Sequence, residues 1–224
     1  MVETIKQASK NIGGLSNTSK MPCPSYGLNT DNCITGHKMK TIDNTVCSIC
    51  YADTGNAKIY PCVKIAQNKR LALYNSNPAL WIESFSFILN KRNSEFFRWF
   101  DSGDLQSVKM LKDIVSICNN TPNCKHWLPT KEPKFVSEYI KQHGQLPANL
   151  TVRLSAVFVD GNPPNKLANK LNVQVSEVSS RGNYTCLAPF QEHKCLDCRK
   201  CWNSNIHSVI YQKNVKGRTW AKKR

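Results

Sequence analysis

Three thiols fall within seven residues near the end of the chain, in Cys195-Leu-Asp-Cys198-Arg-Lys-Cys201-Trp202, and a backbone with that spacing has to curl tightly. Two residues between successive cysteines let sulfurs and amide N–H groups point into one concavity, which suits a compact, electron-rich iron–sulfur cube. A zinc knuckle needs only one such pair, although tetrahedral four-cysteine zinc sites also use it. Cys186 stands ahead of this run. Upstream lies Cys47-Ser-Ile-Cys50, preceded by Cys33 and Cys23, so eight of the 11 cysteines form two groups of four. One or two 4Fe–4S clusters are the expectation, with Cys33, Cys47, Cys50, Cys186, Cys195, Cys198 and Cys201 as metal ligands. Were Cys23 to stay outside the first group, three thiolates would leave one iron open to a further ligand.

The remaining thiols read differently. Cys62 and Cys118 lie on apolar helical faces and read as small buried hydrophobes, and Cys124 belongs to no short-spaced set. His37, His126 and His193 read as hydrogen-bonded structural residues rather than ligands. The odd cysteine count favours ligands over disulfides in a reducing compartment. The first ten residues hold no apolar core with a cleavage site, and no apolar run reaches membrane-spanning length. The expectation is a cytoplasmic protein with no membrane partner.

A chain of 224 residues can bury one substantial core. Residues 1–20 read as a polar lead-in, extended or weakly ordered; 21–185 as an α/β domain that includes the first cysteine group; 186–224 as a cysteine-rich segment with a basic tail. Lys and Arg total 31 against 15 Asp and Glu, a formal charge of +16. No acidic residue follows Asp197, while Arg199, Lys200, Lys213, Lys216, Arg218, Lys222, Lys223 and Arg224 alternate with Trp202, Tyr211 and Trp220. Cations interleaved with aromatics suit phosphate neutralisation and base stacking, which makes nucleic acid a candidate partner. A merely solvated tail has the same composition.

Periodicity sets the core of the chain. Ile59, Cys62, Val63 and Ala66 predict a helix through Lys69-Arg70, and Asn77-Pro78 caps a second with Ile82, Phe85 and Leu89 on one face. Phe96–Phe100 reads as a buried strand ending in Asp101-Ser-Gly-Asp104, with a helix over Val108, Leu111, Val115 and Cys118. Lys125–Pro129 ends at Thr130-Lys-Glu132, and Phe135, Val136, Tyr139 and Ile140 form the next helix, closed by Gly144. Leu150–Val159 is the longest strand candidate, followed by a short helix around Lys166–Leu171 and a strand at Val173–Val178. Such alternation implies right-handed βαβ crossovers and a parallel sheet or barrel. Asp101–Asp104, Thr130–Glu132, Arg153 and Ser155 then fall at carboxyl strand ends, where α/β folds gather their sites. Asp101 and Asp104 read either as paired carboxylates or, with Gly103, as a tight turn that orients N–H groups.

The motif order Cys47-x-x-Cys50-Tyr51-Ala52, Asp101-Ser-Gly-Asp104-Leu105, Trp127-Leu-Pro-Thr-Lys-Glu132 and Cys-x-x-Cys-x-x-Cys-Trp resembles the phage gene-product-88 family and related phage proteins of radical-SAM type. The similarity runs from about Lys20 to Tyr211. It implies a radical-SAM-like partial (βα) barrel with a cysteine-rich N-terminal loop and C-terminal segment. Cys33, Cys47 and Cys50 would hold a 4Fe–4S cluster whose open iron binds S-adenosylmethionine, and an electron donor would be a partner. Ser102, Gly103 and Asp104 would match the turn that receives the methionyl amine, and Thr130, Lys131 and Arg153 would face cofactor or substrate. Two departures stand out: 13 residues separate Cys33 from Cys47, where the family of radical-SAM enzymes has three, and Asp104 replaces the usual glutamate. No catalytic residue is assigned. The resemblance also implies the cytoplasm of a host cell. The alternative functions are a non-catalytic iron–sulfur electron-transfer or nucleic-acid-associated module and, third, a zinc-structured binding protein.

Overall fold

Apolar strands that end in polar turns, each turn starting a helix, repeat along the middle of the chain and set its architecture. A computed structural model describes residues 2–54 and 60–213. Its strands are β1 (Ser25–Tyr26), β2 (Phe96–Trp99), β3 (Lys125–Thr130), β4 (Leu150–Ser155), β5 (Gln174–Ser179) and β6 (Ser208–Gln212). They form one six-stranded sheet in which every pairing is parallel and every strand lies beside its neighbour in sequence. The helices are α1 (Ile5–Ile12), α2 (Ile34–Met39), α3 (Tyr51–Thr54), α4 (Pro61–Ser76), α5 (Pro78–Lys91), α6 (Val108–Asn120), α7 (Pro133–His143) and α8 (Asn165–Leu171). Proline in the first turn starts α4, α5 and α7, where its missing N–H is no loss.

Side chains alternate across the sheet, and the two faces have different partners. Phe97, Trp99, Leu128, Val152, Leu154 and Val175 face the helices and join one core with Trp81, Phe85, Met110, Ile114 and Val136. Trp81 and Phe85 meet edge to face at 4.7 Å, and Phe97 and Trp99 at 4.8 Å. Each such ring, fully buried, contributes roughly 1.5–3 kcal/mol of transfer free energy. The opposite parity carries Arg98, Trp127, Thr151 and Arg153, with Arg98, Trp127 and Thr151 in one lateral row. The C-terminal cysteine segment covers this second face. Trp202 donates its indole N–H to Phe97 O at 2.8 Å, accepts from Thr151 Oγ1 at 2.9 Å, and packs against Trp127 at 5.3 Å.

The lead-in departs from expectation, because residues 5–12 are helical. Thr4 accepts from the Gln7 N–H, and Gly13 closes the helix in the left-handed region at φ 75°, so the cap signals outweigh the polar composition. Strands β1 and β6 were not anticipated, since β1 is two residues long and β6 lies inside the basic stretch. The strand expected over Leu150–Val159 ends at Ser155. Cys62 is exposed rather than buried. In α4 the buried face is polar, built on Gln67, Arg70 and Tyr74. Arg70 reaches Gly27 O at 3.0 Å and lies over the Tyr26 ring at 5.0 Å, so the helix docks by hydrogen bonds. Cys118 is buried, as its helical face suggested. Ile59 and the tail residues Lys216, Arg218, Trp220, Lys222, Lys223 and Arg224 lie outside the described residues.

Candidate metal centres at two cysteine groups

The first group is assembled at the carboxyl edge of the sheet by two strand-end turns and one loop. After β2 the chain turns through Asp101-Ser-Gly-Asp104. Gly103 has φ +75°, and a Cβ there would stand 2.8 Å from Leu28 O, so the turn requires glycine. Asp104 is buried, and its carboxylate accepts from Thr130 Oγ1 at 2.6 Å, the Lys131 N–H at 2.9 Å and the Leu105 N–H at 2.7 Å. Burial pushes this carboxyl above its ordinary range, with those bonds and the Lys131 charge pulling the other way. The next residue in that turn, Glu132, reaches the cysteine loop: its two carboxylate oxygens accept from the Thr35 N–H at 2.7 Å and Thr35 Oγ1 at 3.0 Å. Thr35 is two residues beyond Cys33.

Around these anchors the thiols gather. A Cβ on Gly36 would lie 3.5 Å from Cys33 Sγ and 3.7 Å from Cys47 Sγ, so both sulfurs stand against the same glycine. Cys50 shares their electrostatic surroundings, together with Asp104 and Lys131. Burial pushes the Cys33 and Cys47 thiols up, while the Lys131 ammonium draws them down. The far side of the loop is pinned where Val46 N–H donates to Val157 O at 2.8 Å and Val159 N–H to Asn44 O at 2.9 Å. Tyr51, next to Cys50, donates its hydroxyl to Asp101 O and accepts from Arg98 Nη2 at 3.2 Å.

The second group lies on the sheet face that Trp202 covers. The Cys195 N–H donates to Lys20 O and the Cys198 N–H to Cys195 O, both at 2.9 Å, and Cys201 Sγ sits 3.2 Å from the Tyr211 hydroxyl. Burial raises the Cys201 thiol to about 11, against a hydrogen bond from Tyr211 and the charges of Arg153 and Arg98. Cys186 is an electrostatic neighbour of both Cys195 and Cys201. Cys23 belongs here too. Burial pushes it to about 12, and its charged neighbours are Arg98, Cys195, Arg199 and Cys201.

Ser102 and Gly103 stand against Leu28, while Asp104, bonded to Thr130, and Lys131 are brought to the first thiol group. Arg153 is not. Its side chain is fully buried on the second face, where Nε donates to Cys201 O, Nη1 to Val175, Ile206 and His207 O, and Nη2 to Lys200 and Asn203 O. Its five N–H groups are spent on main-chain carbonyls of the cysteine segment and of Val175 in β5, because strand parity turns it onto the second face. Glu132 falls at the strand end that the sequence marks but with no role assigned to it, and Arg98 is outside the site the sequence suggests. Arg98 carried a signal, being the one charged residue inside the apolar run Phe96–Phe100.

No disulfide joins any of the eleven cysteines. Among the described residues, no three His, Cys, Asp or Glu side chains converge so as to hold a single metal ion. No helix among them is long and apolar enough to cross a membrane. Fold and site define a parallel α/β protein with two thiol groups, one at the carboxyl edge of its sheet and one on the face covered by Trp202. The chain matches the family model described as Gene product 88 over residues 3–204, nearly its whole length, and it belongs to that family. Comparison with curated proteins and with solved structures found no match.

Proposed function

We propose that the protein is an iron–sulfur protein of radical-SAM-like type, with a 4Fe–4S cluster at each cysteine group and a sheet curled as a partial (βα) barrel. One observation carries this reading. Cys33, Cys47 and Cys50 gather beside Asp104 and Lys131, while Cys23 lies with the other group, which leaves the first site three thiols for four irons. The donor set fits the group: the sulfurs are reduced, half-buried and drawn from separate segments, and each iron of a cluster takes its own thiolate. Cations beside both groups, Lys131 at the first and Arg98 and Arg199 at the second, suit the net negative charge of a thiolate-ligated cluster.

A reduced cluster with an open iron supplies one electron to a ligand bound there, and S-adenosylmethionine is the ligand the motif resemblance names. The chain's own residues would then bind and orient it. Lys131 offers an ammonium for a carboxylate, and the turn at Ser102–Asp104 offers main-chain groups for an amine. An electron donor is the implied partner. A second reading, a non-catalytic electron-transfer module, draws on a specific observation: the Asp104 carboxylate already accepts three hydrogen bonds and Arg153 is committed to carbonyls.

The test is anaerobic reconstitution followed by iron and sulfide analysis. About eight irons with matching sulfide are expected, and millimolar S-adenosylmethionine should alter the EPR spectrum of the reduced protein. Stoichiometric zinc without acid-labile sulfide in freshly isolated protein overturns the cluster reading. A full, reducible cluster with an unaltered spectrum moves the assignment to electron transfer.

A further inference from the structure

A cavity of about 370 Å³ opens beyond the carboxyl ends of β4, β5 and β6. Two of its walls come from the segments that leave the sheet: Val159 follows β4, and Lys213 follows β6 with its N–H on Ser179 O, at the end of β5, at 2.8 Å. A third wall is the cysteine loop, through Ser48 and Ile49, which stand between Cys47 and Cys50. The volume lies in the range of small-molecule pockets, roughly 300–1,000 Å³, and this is the edge where α/β sheets gather their ligands.

The polar groups on these walls divide into those already committed and those left over. Thr45 Oγ1 donates to Met39 O at 2.7 Å and accepts from the Ser48 N–H at 3.0 Å, and Lys40 is paired with Asp53 at 2.7 Å, so both serve the loop itself. Ser48 donates its hydroxyl to Thr45 O at 2.9 Å and Asn44 its amide to Val159 O at 3.3 Å, which leaves Ser48 Oγ and Asn44 Oδ1 to act as acceptors. Asp43 and Lys213 carry opposite charges on the same cavity. No ion pair joins them to each other or to any other of the described residues.

An unpaired cation, an unpaired carboxylate and two neutral acceptors suit a ligand that brings both charges of its own. A phosphate or a simple acid would meet Lys213 but face Asp43 with like charge, and a simple amine would leave Lys213 unanswered. We propose that the cavity binds a free α-amino acid with an apolar side chain. Its carboxylate lies on Lys213, its ammonium on Asp43 with Asn44 Oδ1 and Ser48 Oγ as further acceptors, and its side chain against Ile49 and Val159. The bound molecule then stands one residue from Cys47 and Cys50 along the loop. The assignment needs no metal, so it stands apart from the cluster reading.

Isothermal titration of the full chain as isolated, with L-leucine, L-isoleucine and L-phenylalanine in turn, tests it. At least one should bind saturably at one site per chain. The matching acid without the amine, and the matching amine without the carboxylate, should each bind about tenfold or more weakly, because each leaves one wall charge unpaired. Lys213→Gln and Asp43→Asn, both outside the hydrophobic core, should weaken the amino acid by a similar factor. Lys213→Gln should also abolish the preference for the amino acid over the amine, and Asp43→Asn the preference over the acid. No saturable binding by any of the three amino acids, equal binding of the two analogues, or wild-type affinity in both variants overturns the assignment. Iron and sulfide analysis of the same preparation judges the cluster reading, whichever way the titration falls.

Discussion

Glu132, at the end of β3, holds Thr35, at the start of the cysteine loop, with both carboxylate oxygens, at 2.7 Å from the main-chain N–H and 3.0 Å from the hydroxyl. The pair spans 97 residues of sequence. With Asp104 bridging β2 and β3, it fixes Cys33 relative to two strand ends, so the first thiol group inherits the rigidity of the sheet.

Glu132→Ala should therefore cost about 2 kcal/mol, the usual scale for hydrogen bonds to a buried charge. Chemical denaturation measures the loss. The same variant should take up less iron at the first group. An unchanged denaturation midpoint would show that the loop is held by other contacts.

Arg153→Leu should be far more damaging, because six carbonyls lose their donor in a fully buried place. A loss of roughly 4 kcal/mol or more is expected. Arg153→Lys should rescue it only in part, since an ammonium offers three donors and cannot reproduce the planar fork. Thermal melts of the three proteins give the ranking, and equal melts for Lys and Arg would contradict this account.

His126 should make stability fall on acidification. Thr121 donates to Ile117 O at 2.7 Å, so at 2.9 Å its oxygen accepts from His126 Nε2–H, and Nδ1 is left as a buried atom with no partner among the described residues. Burial lowers the imidazole to about 3. The unfolded chain binds this proton near pH 6.5 and the folded chain does not, so the stabilisation is complete above 6.5 and is lost as pH falls towards 3. From pH 7 to 5 the loss is about 2 kcal/mol. His126→Leu should flatten that part of a pH-stability profile, and an equally steep profile would rule the residue out as its source.

Cys118→Ala should separate packing from ligation. The thiol is fully buried among apolar neighbours, so its removal should cost about 1 kcal/mol and leave iron content unchanged. Cys198→Ala should instead lose iron. Bleaching by the first variant with an intact spectrum in the second would invert the grouping of the cysteines.

Local pattern was enough for much of this molecule. The apolar runs at Phe96, Lys125 and Leu150, each followed by a polar turn and helical spacing, specify β2, β3 and β4 and their crossovers, because side-chain period and turn chemistry are properties of neighbours in sequence. The Asp101–Asp104 and Thr130–Glu132 turns were legible as strand ends for the same reason. So was the close spacing of Cys195, Cys198 and Cys201. Membership of the second thiol group was not: Cys23 precedes Cys33 by only ten residues, yet the chain between them forms β1 and carries Cys33 to the sheet edge while Cys23 stays beside Arg98. Arg153 looked like a strand-end ligand residue, and one step of strand parity placed it on the opposite face among carbonyls. Strand β1, two residues long, owes its existence to the sheet it completes, whereas Val209, Ile210 and Tyr211 favour an extended backbone in β6 by themselves. Spacing and periodicity determine which segments curl or extend, whereas the face a side chain occupies and the distant segment it meets depend on register and loop closure, which only the assembled sheet decides.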